Sequence, residues 1–301
     1  IKLEDSKTVT LDLNGYTINR NLSTRGFEHT RGRVMRVDDD AVLNITDSSD
    51  DKSGLITGGQ KDNGAAIYID GGATVNISGG TISGNIADDH GGAIYVKEGT
   101  LNISGGTISG KSADDGGAIY LNGVNQAKLI MSGGKISKNT ADSEAGGVFA
   151  DNSSSGLKSS ICISGEPIVS DNDAEDYNDI FLTTDVHIDV IGALSDDAAL
   201  TVDLSVGEGV ITNGYSTYNN TDPSKYFSSS MGYGVLLVGG EASFGYKAQG
   251  ETQYELPFID FGDQIDTSGN PGDTSWMSGI SGERYLNEIN IPTAHDSGMN
   301  N

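Results

Sequence analysis

The sequence predicts an all-β protein built mainly as a parallel β-helix, a solenoid of short strands stacked along one axis. Three observations predict it: apolar residues recur in short alternating runs, glycines punctuate those runs, and two motifs interleave with a period of about 26 residues. The composition agrees. Of 301 residues, 43 are glycine and 35% are hydrophobic, so turns are plentiful and core-forming residues are few. Many short strands joined by tight corners satisfy both facts.

The elements follow in order. Val9-Thr10-Leu11-Asp12-Leu13 alternates and then turns at Asn14-Gly15. Residues 34–37 and 41–45 read as strands of the next coil. The first motif, Gly-Gly-Ala-Ile-Tyr, spans 91–95 and 116–120, with looser copies at 64–68 and 146–149. Its central residues Ile67, Ile94, Ile119 and Val148 lie 27, 25 and 29 residues apart. The second motif runs over 76–85, returns at 102–111 and 131–139, and is worn at 163–168.

Alternation sends Ile94 and Val96 inward and Tyr95 outward, and likewise Val75 and Ile77 inward with Asn76 outward. Each run ends at Gly-Gly or Ser-Gly, where a sharp corner with positive φ is needed. Glycine at about 1 kcal/mol apiece excludes helices there. One coil cannot bury its inner face alone, so the coils must stack on a shared core. Gly84-Asn85, Lys138-Asn139 and Asp171-Asn172 share one phase of the repeat and read as a broken ladder of structural asparagines.

The repeat predicts the β-helix over residues 1–180. Alternating runs at 186–190, 200–204 and 234–239 predict a β-rich cap over 181–261, which protects the open strand edges. Residues 262–275 have a linker composition of Gly, Pro, Asp and Ser. A helix capped by Thr274 or Ser275 and running from Trp276 to about Glu288, then a short strand stopped by Pro292, form a separate segment over 276–301.

The formal net charge of −25 repels nucleic acid and anionic membrane surfaces, so no nucleic acid partner is expected. No apolar stretch approaches the roughly 20 residues of a membrane span, so no transmembrane segment is expected. The single cysteine, Cys162, excludes an internal disulfide and reads as a buried inert thiol. The chain opens on Ile1-Lys2-Leu3 without an initiator Met, so a missing leader says nothing against export.

Three groups of residues are candidates for binding or chemistry. Asp88, Asp89, Asp114 and Asp115 recur 26 residues apart, just before the Gly-Gly strands. They read as solvated turn residues, or as calcium ligands and carboxylates of a β-helical polysaccharide lyase or hydrolase. Tyr68, Tyr95 and Tyr120 share an outward phase and form either a sugar platform, as in a non-enzymatic adhesin that binds an extracellular glycan, or a cover for the strand backbone. Arg20, Arg25, Arg31, Arg33 and Arg36 cluster as partners of nearby carboxylates or as a site for an acidic sugar or phosphate. His29, His90 and His187 show no metal-ligand spacing, so no zinc site is expected.

Residues 1 to about 180 resemble the Gly-rich right-handed β-helical repeats of bacterial surface proteins, in the pectate-lyase-like architecture. That resemblance implies an extracellular or cell-surface location. Trp276-Met277, Leu286 and Ile289-Asn290-Ile291-Pro292-Thr293-Ala294-His295-Asp296-Ser297-Gly298-Met299 resemble the opening of bacterial phosphatidylinositol-specific phospholipase C domains. In that family a Pro-Gly-Thr-His-Asp-Ser-like motif ends the first strand of a TIM-like barrel; here Thr293-Ala294 stands where Gly-Thr is usual. The resemblance implies that His295 takes a proton from the inositol 2-hydroxyl, with Asp296 orienting it. It also implies that the second histidine and a phosphate-binding arginine lie beyond Asn301, so residues 276–301 alone form an incomplete barrel without catalysis. The combined expectation is an exported β-helical spacer or glycan-binding module attached to a phosphodiesterase of inositol phospholipids.

Overall fold

A single coil shows the plan. After Gly91-Gly92 the chain runs through Ile94–Val96, Gly99–Ile103, Thr107–Ser109 and Ser112–Ala113, turning between each, before Gly116-Gly117 opens the next coil. In the computed structural model, which describes residues 1–22, 32–152, 158–247 and 254–255, such coils stack as a parallel β-solenoid of about seven turns. The all-β solenoid is therefore as expected, with almost no helix among the described residues.

The four runs build four parallel sheets, numbered here in coil order. In the first, Ile94–Val96 lies between Ile67–Ile69 and Ile119–Leu121. In the second, Gly99–Ile103 lies between Ala73–Ile77 and Ala127–Met131. In the third, Thr107–Ser109 lies between Thr81–Ser83 and Lys135–Ser137. In the fourth, Ser112–Ala113 lies between Ile86–His90 and Thr140–Glu144.

Like therefore stacks on like. Ile67, Ile94 and Ile119 form one inward column, Val75, Leu101 and Leu129 a second, and Ile82, Ile108 and Ile136 a third, all fully buried. Each such side chain contributes about 1.5–3 kcal/mol relative to exposure. The corners hold the columns close. A Cβ at Gly117 would lie 2.2 Å from the Thr140 carbonyl oxygen, so only glycine fits.

The asparagine ladder is present, with one rung replaced. Asn139 Nδ2 donates to Asn172 Oδ1 at 2.7 Å, and Asn172 Nδ2 donates to Asp179 Oδ1 at 2.6 Å. Asn85 Oδ1 accepts from the Gly59 N–H at 2.9 Å. Lys111 occupies the rung between Asn85 and Asn139.

Parallel pairing runs on beyond residue 180. Ile180–Leu182 pairs with Val148–Ala150, and Ile188–Leu194 with Ser160–Gly165. Ala199–Leu204 then pairs with Ile168–Val169 through one end and with Ile180–Leu182 through the other, fusing the first and third sheets. Among the described residues the fourth sheet stops at Asp173–Asp176. That coil lacks the side its predecessors have, and with it goes the Gly-Gly corner that marks the repeat in sequence.

The end of the core is covered by a short helix at Tyr215–Tyr218, a 3-10 turn at Pro223–Lys225 and an antiparallel pair, Gly234–Val238 with Glu241–Lys247. Tyr215, Phe227 and Phe244 plug the apolar interior. Glu241 fastens the cover by accepting from Thr212 Oγ1 and from the Gly214 and Tyr215 N–H groups. No helix among the described residues is long and apolar enough to cross a membrane. The linker at 262–275, the helix expected at 276–288, His295, Asp296, Arg25, Arg31 and His29 lie outside the described residues.

Candidate functional site

The densest set of ionisable and aromatic side chains lies where the fourth sheet hands over to the first. Register there is decided by β-bulges. Ile86 and Ala87 pair with Gln60 and Lys61, but His90 pairs with Asn63, so two residues, Asp88 and Asp89, oppose the single Asp62. Thr140–Glu144 bulges likewise against Asp173–Asp176. A bulge re-aims the side chains that follow it. The result is one axial row: Asn63, His90, Asp115, Glu144 and Asp176.

His90 Nδ1 lies 3.2 Å from Asp115 Oδ2. Hydrogen bonding to Asp115, with the charges of Asp115, Asp89 and Asp114, raises the His90 pKa against the opposing effect of partial burial. Glu144 is also raised, first by burial and then by Asp115 and Asp176 on the adjacent coils. An imidazole and a carboxyl group, each biased toward its protonated form, thus flank Asp115, which is the material for proton transfer.

Beside this row stands a column of rings on the outer face of the first sheet. Tyr68 and Tyr95 stack at 5.3 Å, Tyr95 and Tyr120 at 5.4 Å, and Tyr120 and Phe149 at 5.0 Å. His90 lies against Tyr120 at 4.5 Å. The hydroxyls are engaged as well: Tyr95 accepts from Asn122 Nδ2 at 2.7 Å, and Tyr120 donates to Asp151 Oδ2 at 3.1 Å. Burial first, then nearby Asp151, pushes the Tyr120 pKa up. Tyr95 and Tyr120 are each only 8% exposed. Tyr68, Tyr95 and Tyr120, read from the sequence as a sugar platform or as a cover for the strand backbone, stand in a packed ladder with Tyr68 half-buried at its end. Tyr95 stacks between Tyr68 and Tyr120, Tyr120 between Tyr95 and Phe149, and His90 before the corner of the fourth sheet lies against Tyr120.

The cationic end of the column is at Tyr68. The Arg33 guanidinium sits 4.2 Å from the ring centroid and that of Arg36 5.1 Å. Arg36 pairs with Asp38 and Asp70, and Lys97 with Asp70 at 3.1 Å. Arg36 is therefore matched to carboxylates, and Arg33 and Arg36 to a ring.

The four aspartates expected as calcium ligands fall on two neighbouring coils. The Asp89 carbonyl accepts from the Asp114 and Asp115 N–H groups at 2.8 and 3.1 Å. Their side chains do not converge: among the described residues no group of three or more His, Cys, Asp or Glu forms a metal-ligand set. The bulge sets Asp88 and Asp89 together against Asp62 and brings Asp115 opposite His90.

His90 is the site residue that the sequence placed only at a turn. Its signal is the change of spacing from 27 to 25 residues between successive Gly-Gly-Ala-Ile-Tyr copies, which marks an extra residue in one coil. Cys162 is buried, with its thiol 4.0 Å from Asp189. No protein-family model, curated protein or solved structure matches this chain.

Proposed function

We propose that the solenoid is a rigid, non-catalytic spacer displayed outside the cell, and that it carries a phosphatidylinositol-cleaving barrel beginning near residue 276. The observation that carries the spacer reading is that successive coils occupy one another's contacts: ring on ring, asparagine on asparagine, isoleucine on isoleucine. A rod held by nearest-neighbour coils transmits position along its axis. The barrel reading rests on the resemblance of residues 289–299. A residue just after the first strand of such a barrel faces its C-terminal mouth, where these sites lie. His295 then serves as general base toward the inositol 2-hydroxyl, whose oxygen attacks the phosphorus as the P–O bond to diacylglycerol breaks, so that diacylglycerol leaves and a cyclic inositol phosphate forms, with Asp296 orienting the imidazole.

The test compares the protein carrying its downstream barrel with the His295→Ala variant on phosphatidylinositol vesicles. Inositol phosphate release by the parent, lost in a variant of unchanged circular dichroism, is the expected result. Release that survives the substitution, or none from the parent, overturns the reading.

The His90–Asp115–Glu144 row supports a second reading, cleavage of an extended glycan along the fourth sheet. It places an acid and a base on adjacent coils. New reducing ends from a polysaccharide panel, absent with Glu144→Gln, support it. A silent panel removes it.

A further inference from the structure

The corner between the third and fourth sheets forms a second axial feature, apart from the rings. Gly58, Gly84, Gly110, Lys138 and Asp171 fall in one register row, with φ between 57° and 74°. The three glycines carry no side chain, so a groove of about 500 Å³ runs along the axis over their coils. Thr57 lies on its third-sheet wall and Ser112 and Thr140 on its fourth-sheet wall. Asn19 stands at one end and Lys138 at the other.

Two facts set this groove apart. In a chain with 43 Asp and Glu, none lines it among the described residues, whereas two lysines do. One of them, Lys111, is 2% exposed, and its Nζ has no hydrogen-bond partner. At the following rungs Asn139 Nδ2 donates to Asn172 and Asn172 Nδ2 to Asp179, whereas Asn139 Oδ1, on the rung next to Lys111, is itself without a partner, so the lysine forgoes what an asparagine there would gain.

We propose that this groove binds an extended anionic glycan, a linear chain of sugar rings bearing carboxylates. The row of corners gives a straight track parallel to the solenoid axis. Hydroxyls on both walls match sugar hydroxyls, the exposed Lys138 takes a carboxylate, and the unpartnered Lys111 Nζ is a hydrogen-bond donor on the lining. The field of so acidic a chain repels anions at long range, so the contact forms where the lining itself holds no carboxylate. The inference deepens the display reading by naming what the displayed solenoid holds. Its test needs no phosphodiesterase, so the two fail separately.

Gly110→Asp is the decisive variant. A Cβ at Gly110 meets no atom within 4 Å, and Asp171 already holds an aspartate at the equivalent corner with φ 63°. Gly110→Asn adds the same shape without the charge. Hyaluronan and alginate oligosaccharides are titrated into the full chain by calorimetry at low salt, beside a chito-oligosaccharide of equal length. At least one anionic chain should bind, and the neutral chain should bind at least about tenfold more weakly. Gly110→Asp should weaken the anionic chain by about tenfold or more and Gly110→Asn by less than about threefold. Equal affinity of the parent and Gly110→Asp, equal affinity for neutral and anionic chains, or no binding of either anionic chain overturns the proposal.

Discussion

Lys111 replaces an asparagine in a ladder, and the replacement has a measurable sign. Burial pushes its pKa well below the ordinary 10.5, so folding disfavours the ammonium form. Between the folded and unfolded pKa values the unfolded state binds the extra proton, so Lys111 opposes folding, and the opposition fades as pH rises toward 10.5. Lys111→Asn restores the rung and should raise the melting temperature by about 3 °C or more at neutral pH, with a smaller gain near pH 10. A gain that does not shrink with pH would mean that packing, not protonation, is responsible. His90 has the opposite sign. Its pKa is raised by Asp115, so its contribution is complete below the unfolded value near 6.5 and disappears as pH rises through the folded value. His90→Ala should therefore lower the melting temperature more at pH 5 than at pH 8. Lys111 did not declare itself in the sequence, and His90 did so only through the changed spacing of the motif copies. A lysine after a glycine and a histidine before one are ordinary at exposed turns, and only the coil above and below makes them buried or paired.

At the scale of the element, the ring column ties four coils of the first sheet together. Removing one ring from a packed stack loses its buried area and leaves a gap between its neighbours. Tyr95→Ala should cost about 3 kcal/mol in urea unfolding, and Tyr95→Phe, which loses only the bond from Asn122, about 1 kcal/mol. The pair Tyr95→Ala and Tyr120→Ala should depart from additivity by about 0.5–1.5 kcal/mol, because the two rings touch. Additive losses would mean that the rings act singly. Alternation in Ala93-Ile94-Tyr95-Val96 was enough to place Tyr95 on the outer face of its strand. It could not tell an outer face from a solvent-facing one, because the cover comes from His90 and the corner of the fourth sheet. The same limit applied to Asp88, Asp89, Asp114 and Asp115. Their 26-residue spacing implied alignment, and a single bulged residue redirected it.

At the scale of the molecule, a net charge of −25 acts on a solenoid that brings its carboxylates close along stacked corners. Mutual repulsion raises the free energy of the compact state and is screened by salt. The melting temperature should rise between 20 and 300 mM sodium chloride, in contrast to a fold held by surface ion pairs; a fall with salt would show that pairs such as Lys97–Asp70 dominate. The second sheet pairs eight strands, which at about 4.8 Å per coil gives a stack about 34 Å long. The sequence by itself determined that the chain coils, where the corners fall and which side chains enter the core. Those properties follow from glycine's φ and the two-residue alternation, which are local. The tertiary structure alone decided where the solenoid ends, which aspartate meets His90, that the tyrosines face one another, and that a glycine-floored groove follows the third corner. Those depend on register between coils some 26 residues apart, and register is set by bulges and by the loss of one sheet, neither of which leaves a local mark.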